Sequence, residues 1–75
     1  MDLQKFVALF AEQFDDTPAD IFTASTDYKS LDEWGSLVAL SVISMVDEEF
    51  GKRITGAEIR KCTTIEELYN LVLSK

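Results

Sequence analysis

A chain of 75 residues, 47% hydrophobic and with a formal charge of −7, has material for one small core, so residues 1–75 are read as a single domain. Fourteen acids against seven bases weigh against binding nucleic acid, whose phosphate backbone needs clustered Lys and Arg. With no histidine and one cysteine, Cys62, the chain has no means for Ser-His chemistry, a Cys/His zinc site or an internal disulfide.

A core of this size supplies only about 3–5 kcal/mol of net stability, so a deep catalytic cleft is not expected. The charge is uneven. Residues 1–51 hold eleven acids and two bases, whereas residues 52–75 hold three acids and five bases. Such a field steers basic partners toward the acidic part, although an acidic surface kept for solubility gives the same pattern. At the N-terminus Asp2, Gln4, Lys5, Glu12 and Gln13 break up the apolar residues, leaving no signal-peptide core and no membrane span. A soluble, cytoplasmic protein with no membrane partner is the expectation.

Asp2 is placed to cap a first helix running to about Phe14, with Leu3, Phe6, Val7, Phe10 and Phe14 on one buried stripe and Leu9 beside it. Asp15, Asp16, Thr17 and Pro18 end it, since Asp and Thr favour turns and proline disfavours helix in the residue before it. A long connection follows over 18–35. Connections beyond about 12–15 residues are functional or are packed down by their own side chains. Ile21, Phe22, Tyr28, Leu31 and Trp34 are the natural anchors, with a direct binding role for Trp34 as the other reading. A short helical turn is possible over 18–22, capped by Thr17 with Asp20 in its first turn.

The stretch 35–50 predicts one amphipathic helix with Ser36 in its first turn. Ala39, Val42, Ile43, Val46 and Phe50 recur at the spacing of a buried stripe. Leu37, Leu40, Ser44, Asp47 and Glu48 form a second face, apolar at its start and acidic at its end, which either docks other proteins or is covered by the bundle. Gly51 stops the helix in a left-handed cap. Thr55 with Glu58 makes a capping box for a short helix to about Lys61; Thr63 with Glu66, or Thr64 with Glu67, makes another for a last helix to about Leu73. Ile65, Leu68, Tyr69 and Val72 are that last helix's buried stripe, and Cys62, between Ile59 and Ile65, reads as a small buried hydrophobe. No alternating run is long enough for a sheet, so the fold class is all-α: three longer helices and one short one, with a long first loop.

Ser36-Leu37, a mostly apolar run, Asp47-Glu48-Glu49-Phe50-Gly51, Ile54 and Thr63-Thr64-Ile65 together resemble the acyl carrier proteins of fatty-acid, polyketide and related biosynthesis. The resemblance spans nearly the whole chain and includes Ile21 and Leu31 ahead of Trp34-Gly35-Ser36-Leu37. It implies an acyl-carrier-like four-helix bundle, monomeric and acidic, that performs no catalysis and holds no metal itself. It places covalent 4′-phosphopantetheine, taken from coenzyme A, on Ser36, whose hydroxyl a separate magnesium-using phosphopantetheinyl transferase activates. By position alone Ser36 reads as an ordinary polar residue at a helix start sooner than as a modified one. The arm's thiol would carry acyl or aminoacyl groups as thioesters between acyl-processing enzymes, whose basic patches meet Leu37, Leu40, Asp47 and Glu48. Tyr28, Val42, Val46, Ile54, Ile59, Cys62, Leu68 and Tyr69 are the implied lining for a sequestered acyl chain, and are core residues on any reading.

The chain departs from the family pattern in two places. Gly35 stands where the family usually has an aspartate before the serine, and Asp32 and Glu33 are the nearest carboxylates that could substitute. Ser41 and Ser44 stand where an acid and an apolar residue are common, which weakens the implied docking face. An unmodified helical interaction module with the same fold is therefore the competing function.

Overall fold

Asp2 opens the first helix as expected: its carboxylate accepts the Lys5 amide at 2.8 Å, and α1 runs Leu3–Ala11. The computed structural model describes residues 2–75. α1 is shorter than its apolar stripe predicts. The Gln13 and Phe14 amides turn to the carbonyls of Phe10 and Ala11, both at 3.1 Å, tightening the last turn while Phe14 stays buried. α2 spans Ser36–Phe50, α3 Gly56–Lys61 and α4 Ile65–Leu73. The fold is thus the expected four-helix, all-α arrangement, and the described residues contain no strand, only one isolated bridge between Asp27 and Thr64.

Local signals explain the ends. Gly51 takes φ 66°, the left-handed geometry glycine tolerates best, and its amide reaches the Asp47 carbonyl at 3.0 Å to close α2. Thr55 and Glu58 form the capping box of α3. Of the two boxes possible for α4, Thr64 with Glu67 forms, which turns Ile65, Leu68 and Val72 inward. The Glu67 carboxylate also accepts the Thr63 amide at 2.6 Å.

α1 packs on α4 and α2, and α2 on α3, around a core of Phe6, Phe10, Tyr28, Val42, Val46, Ile59, Ile65, Leu68 and Val72. Met45 enters the buried face of α2, while Ala39, Ile43 and Phe50 are only partly buried. The apolar stripe of α2 is therefore centred slightly to one side of the predicted one.

The long connection is packed down by aromatic side chains. Phe22 and Tyr28 are buried and Trp34 is partly buried; Tyr28 meets Phe10 at 5.3 Å and Trp34 at 4.9 Å between ring centroids. Ile21, expected as an anchor, is 47% exposed. A 3₁₀ turn does form at Ala19–Ile21, but its cap position falls on Pro18, which has no side-chain acceptor, and the Thr17 hydroxyl bonds Glu33 instead. A second 3₁₀ turn at Tyr28–Ser30, capped by Asp27, had no clear signal in the sequence.

Candidate functional site

Ser36 is the first residue of α2 and is exposed, and its hydroxyl makes no hydrogen bond among the described residues. Gly35 before it is extended, φ −175° and ψ −175°, and its carbonyl starts the helix by accepting the Ala39 amide at 2.9 Å. No side chain caps α2, whereas Asp2, Thr55 and Thr64 cap the other three helices. The free first-turn amides and the positive helix end favour an anion at the serine oxygen. Residues 35–38 therefore fit a phosphodiester formed on Ser36.

Three sets of bonds hold the connection that presents this serine. At its far end, the Ala24 and Thr26 carbonyls accept the Glu66 and Ile65 amides at 2.9 and 3.2 Å, satisfying the start of α4. In the middle, the Tyr28 hydroxyl donates to the Ile59 carbonyl and to that of Cys62 at 3.2 Å, and Lys29 Nζ donates to the Arg60 carbonyl at 2.8 Å. These groups satisfy the open carbonyls at the end of α3. Burial, then the nearby Cys62, Glu67 and Asp27, pushes the Tyr28 hydroxyl well above its ordinary pKa, so it remains a donor.

Next to Ser36, Glu33 forms the third tie. Its carboxylate accepts the amides of Asp15, Asp16 and Thr17 at 2.7, 3.1 and 3.0 Å, and the Thr17 hydroxyl at 2.7 Å. The Thr17 hydroxyl and these amides hold the Glu33 carboxyl below its usual range. Glu33 is thus committed to the turn after α1 and its carboxylate is not free to serve Ser36. Asp32, by contrast, is exposed and makes no side-chain hydrogen bond among the described residues.

Two concave surfaces flank α2. One is a cleft of about 260 Å³ beside Ser36, lined by Trp34, Gly35, Ser36 and Ala39 on one side and Gly56, Ile59 and Arg60 on the other. The other is a groove of about 400 Å³ between α1 and α2. Leu37 and Leu40, 81% and 59% exposed, lie in this groove with Glu48, so the bundle does not cover the second face of α2. Ser41 and Ser44 line it as well. Asp47 is exposed but is not part of the groove wall. Leu9 from α1 and Glu12 and Gln13 from the turn that ends it complete the groove. Sequence pattern did not point to these three, since only tertiary packing sets α1 against this part of α2.

The residues proposed for an acyl chain are largely close-packed. Tyr28, Val42, Val46, Ile54, Ile59 and Leu68 are buried, and Cys62 and Tyr69 are partly buried. Of the eight, Ile59 also lines the cleft beside Ser36. Cys62 is less buried than expected; burial and the negative Glu67 nonetheless raise its thiol pKa, keeping it protonated and a poor nucleophile. No group of three metal-ligating side chains forms among the described residues, and no helix is long and apolar enough to cross a membrane.

Among known families, the model described as a phosphopantetheine attachment site matches residues 4–72. Searches of curated proteins and of solved structures returned no significant match.

Proposed function

The chain belongs to the family of proteins with a phosphopantetheine attachment site, its cofactor is covalently attached 4′-phosphopantetheine, and from that premise we propose that Ser36 is the attachment residue of a carrier that shuttles acyl thioesters between enzymes. The single observation that carries the assignment is the exposed, unbonded Ser36 hydroxyl at the one uncapped α-helix start among the described residues. In loading, the Ser36 oxygen bonds to the phosphorus of coenzyme A that bears the pantetheine. The bond to the nucleotide breaks, adenosine 3′,5′-bisphosphate leaves, and the hydroxyl proton passes to a base on the transferase. The arm then supplies the thiol on which a cargo is held.

This chain's own part is presentation. The ties from Glu33, Tyr28 and Lys29 hold the segment before α2, and the first-turn amides favour the anion that loading leaves behind. Leu37 and Leu40, with Glu48 further along, offer an apolar contact next to negative charge, suited to a transferase or acyl-processing enzyme with a basic rim. Charge pairs at such a rim raise encounter rate more than affinity, which suits a carrier that must leave each partner. Sequestering a chain among Val42, Val46 and Leu68 would require side chains that are fully packed to part.

Intact mass before and after incubation with a broad-specificity phosphopantetheinyl transferase, magnesium and coenzyme A tests the assignment. The parent should gain one phosphopantetheine and Ser36→Ala none. No gain in a folded, helical sample, or a gain on Ser36→Ala, overturns it, and the first result would favour the unmodified interaction module.

A further inference from the structure

The cleft beside Ser36 has one charged wall residue. Trp34, Ser36 and Ala39 face Gly56, Ile59 and Arg60 across it, and Arg60 alone among its lining residues carries charge. The Arg60 guanidinium folds over the bare α-carbon of Gly56: a Cβ placed there would lie 3.3 Å from its nearest nitrogen. That guanidinium makes no hydrogen bond or ion pair among the described residues, and Lys29 Nζ bonds the backbone carbonyl of Arg60, not its side chain. A cation with five free donors thus borders the same small cleft as the serine hydroxyl, with Trp34 on the wall of Ser36 and Ile59 on the wall of Arg60.

From this arrangement we propose that Arg60 binds the phosphodiester of the arm on Ser36, laying the first part of the arm into the cleft against Trp34 and Ile59. The inference rests on the assignment of Ser36 as the attachment residue. A phosphate bonded to Ser36 is tethered at the rim of the cleft, so Arg60 meets it at high effective concentration and without the entropy of bringing two free partners together. A planar guanidinium matches two phosphate oxygens at once, which a lysine at this place would not. The start of α2 lacks a capping side chain, so its amides face the same anion from the other side. Behind the phosphate, the pantetheine's branched dimethyl carbon needs an apolar surface, and Trp34 and Ile59 provide one. At about 260 Å³ the cleft lies below the usual ligand-pocket range of roughly 300–1,000 Å³, so it takes a section of the arm and not the cargo.

Trp34 is the sole tryptophan, so its emission reports on the cleft directly. The test compares the loaded and unloaded forms of the parent, Arg60→Gln and Arg60→Lys by ³¹P resonance position and Trp34 fluorescence, with intact mass recording whether each chain is loaded. Loading the parent should shift Trp34 emission, and added salt should move its phosphorus resonance toward that of free phosphopantetheine diester. Arg60→Gln should load, show the free-diester resonance at all salt concentrations and lose most of the Trp34 shift; Arg60→Lys should retain part of both. Unloaded Arg60→Gln should match the unloaded parent in emission and helicity, because the guanidinium bonds to nothing there. A loaded Arg60→Gln chain with the parent's resonance and emission overturns the role of Arg60 while leaving Ser36 in place. Failure of the parent itself to gain mass overturns both.

Discussion

Glu33 accepts two hydrogen bonds from Thr17 on one carboxylate oxygen, from the amide at 3.0 Å and from the hydroxyl at 2.7 Å, and so ties the turn after α1 to the segment that presents Ser36. Glu33→Gln should lower the melting temperature more than Asp32→Asn, because an amide nitrogen facing these donors repels them while Asp32 gives up no bond. It should also slow loading of Ser36 in a folded sample. Thermal unfolding by circular dichroism and loading by intact mass check the two effects, and equal melting of the two variants would remove Glu33 from this role.

Acid should expose the same tie. Glu33, Glu58 and Glu67 all have pKa values lowered from the ordinary 4.5, by hydrogen bonds from Thr17, from Lys75 and from the Thr63 amide respectively as the largest cause. A carboxylate whose folded pKa is depressed contributes stability that is fully present above the unfolded value and is lost as pH falls through the folded one. The melting temperature should therefore hold down to about 4.5 and decline below it. Replacing the three with Gln should flatten that decline. Glu67 is exposed and Glu33 and Glu58 are half-buried, and salt should screen the Lys75–Glu58 pair, the one ion pair of the three.

Gly35→Asp should be accepted without strain. The backbone at Gly35 is extended, and a side-chain carbon there meets no atom within 4 Å. An aspartate would cap α2, raising stability by about a few tenths of a kcal/mol relative to glycine. It should also speed loading of Ser36, by placing next to it the carboxylate that the sequence resemblance leads one to expect. A stability gain with an unchanged loading rate would separate capping from recognition by the transferase.

Tyr28→Phe removes the hydroxyl that satisfies the Ile59 and Cys62 carbonyls in a residue with no exposed surface. Leaving buried acceptors unpaired costs about 1–3 kcal/mol. Urea unfolding should show a lower midpoint with an unchanged slope, since the surface exposed on unfolding stays the same.

Leu37→Gln and Leu40→Gln keep good helix formers at exposed sites, so stability should move by less than about 0.5 kcal/mol. Transfer of cargo by a partner enzyme should nevertheless slow, and Glu48→Gln should reduce the salt dependence of that rate. Unchanged transfer in both leucine variants would place the docking surface elsewhere.

Helix identity was legible in the sequence because its signals are local: Asp2, Thr55 and Thr64 cap, Gly51 stops, and apolar spacing marks the buried faces. Ser36 was legible for the same reason, as the serine that opens the helix stopped by Gly51. The uncovered state of Leu37 and Leu40 was not, since the spacing of one helix is compatible with burial or exposure until its neighbours are placed. The commitment of Glu33 to Thr17, the truncation of α1 at Ala11 and the facing of Arg60 across a cleft from Ser36 depend on groups far apart in the chain. Sequence by itself determined which segments are helical and which hydroxyl opens α2. Only the tertiary structure decided what surrounds that hydroxyl, because a carboxylate or a guanidinium at a given position is equally free to face water until packing brings it a partner.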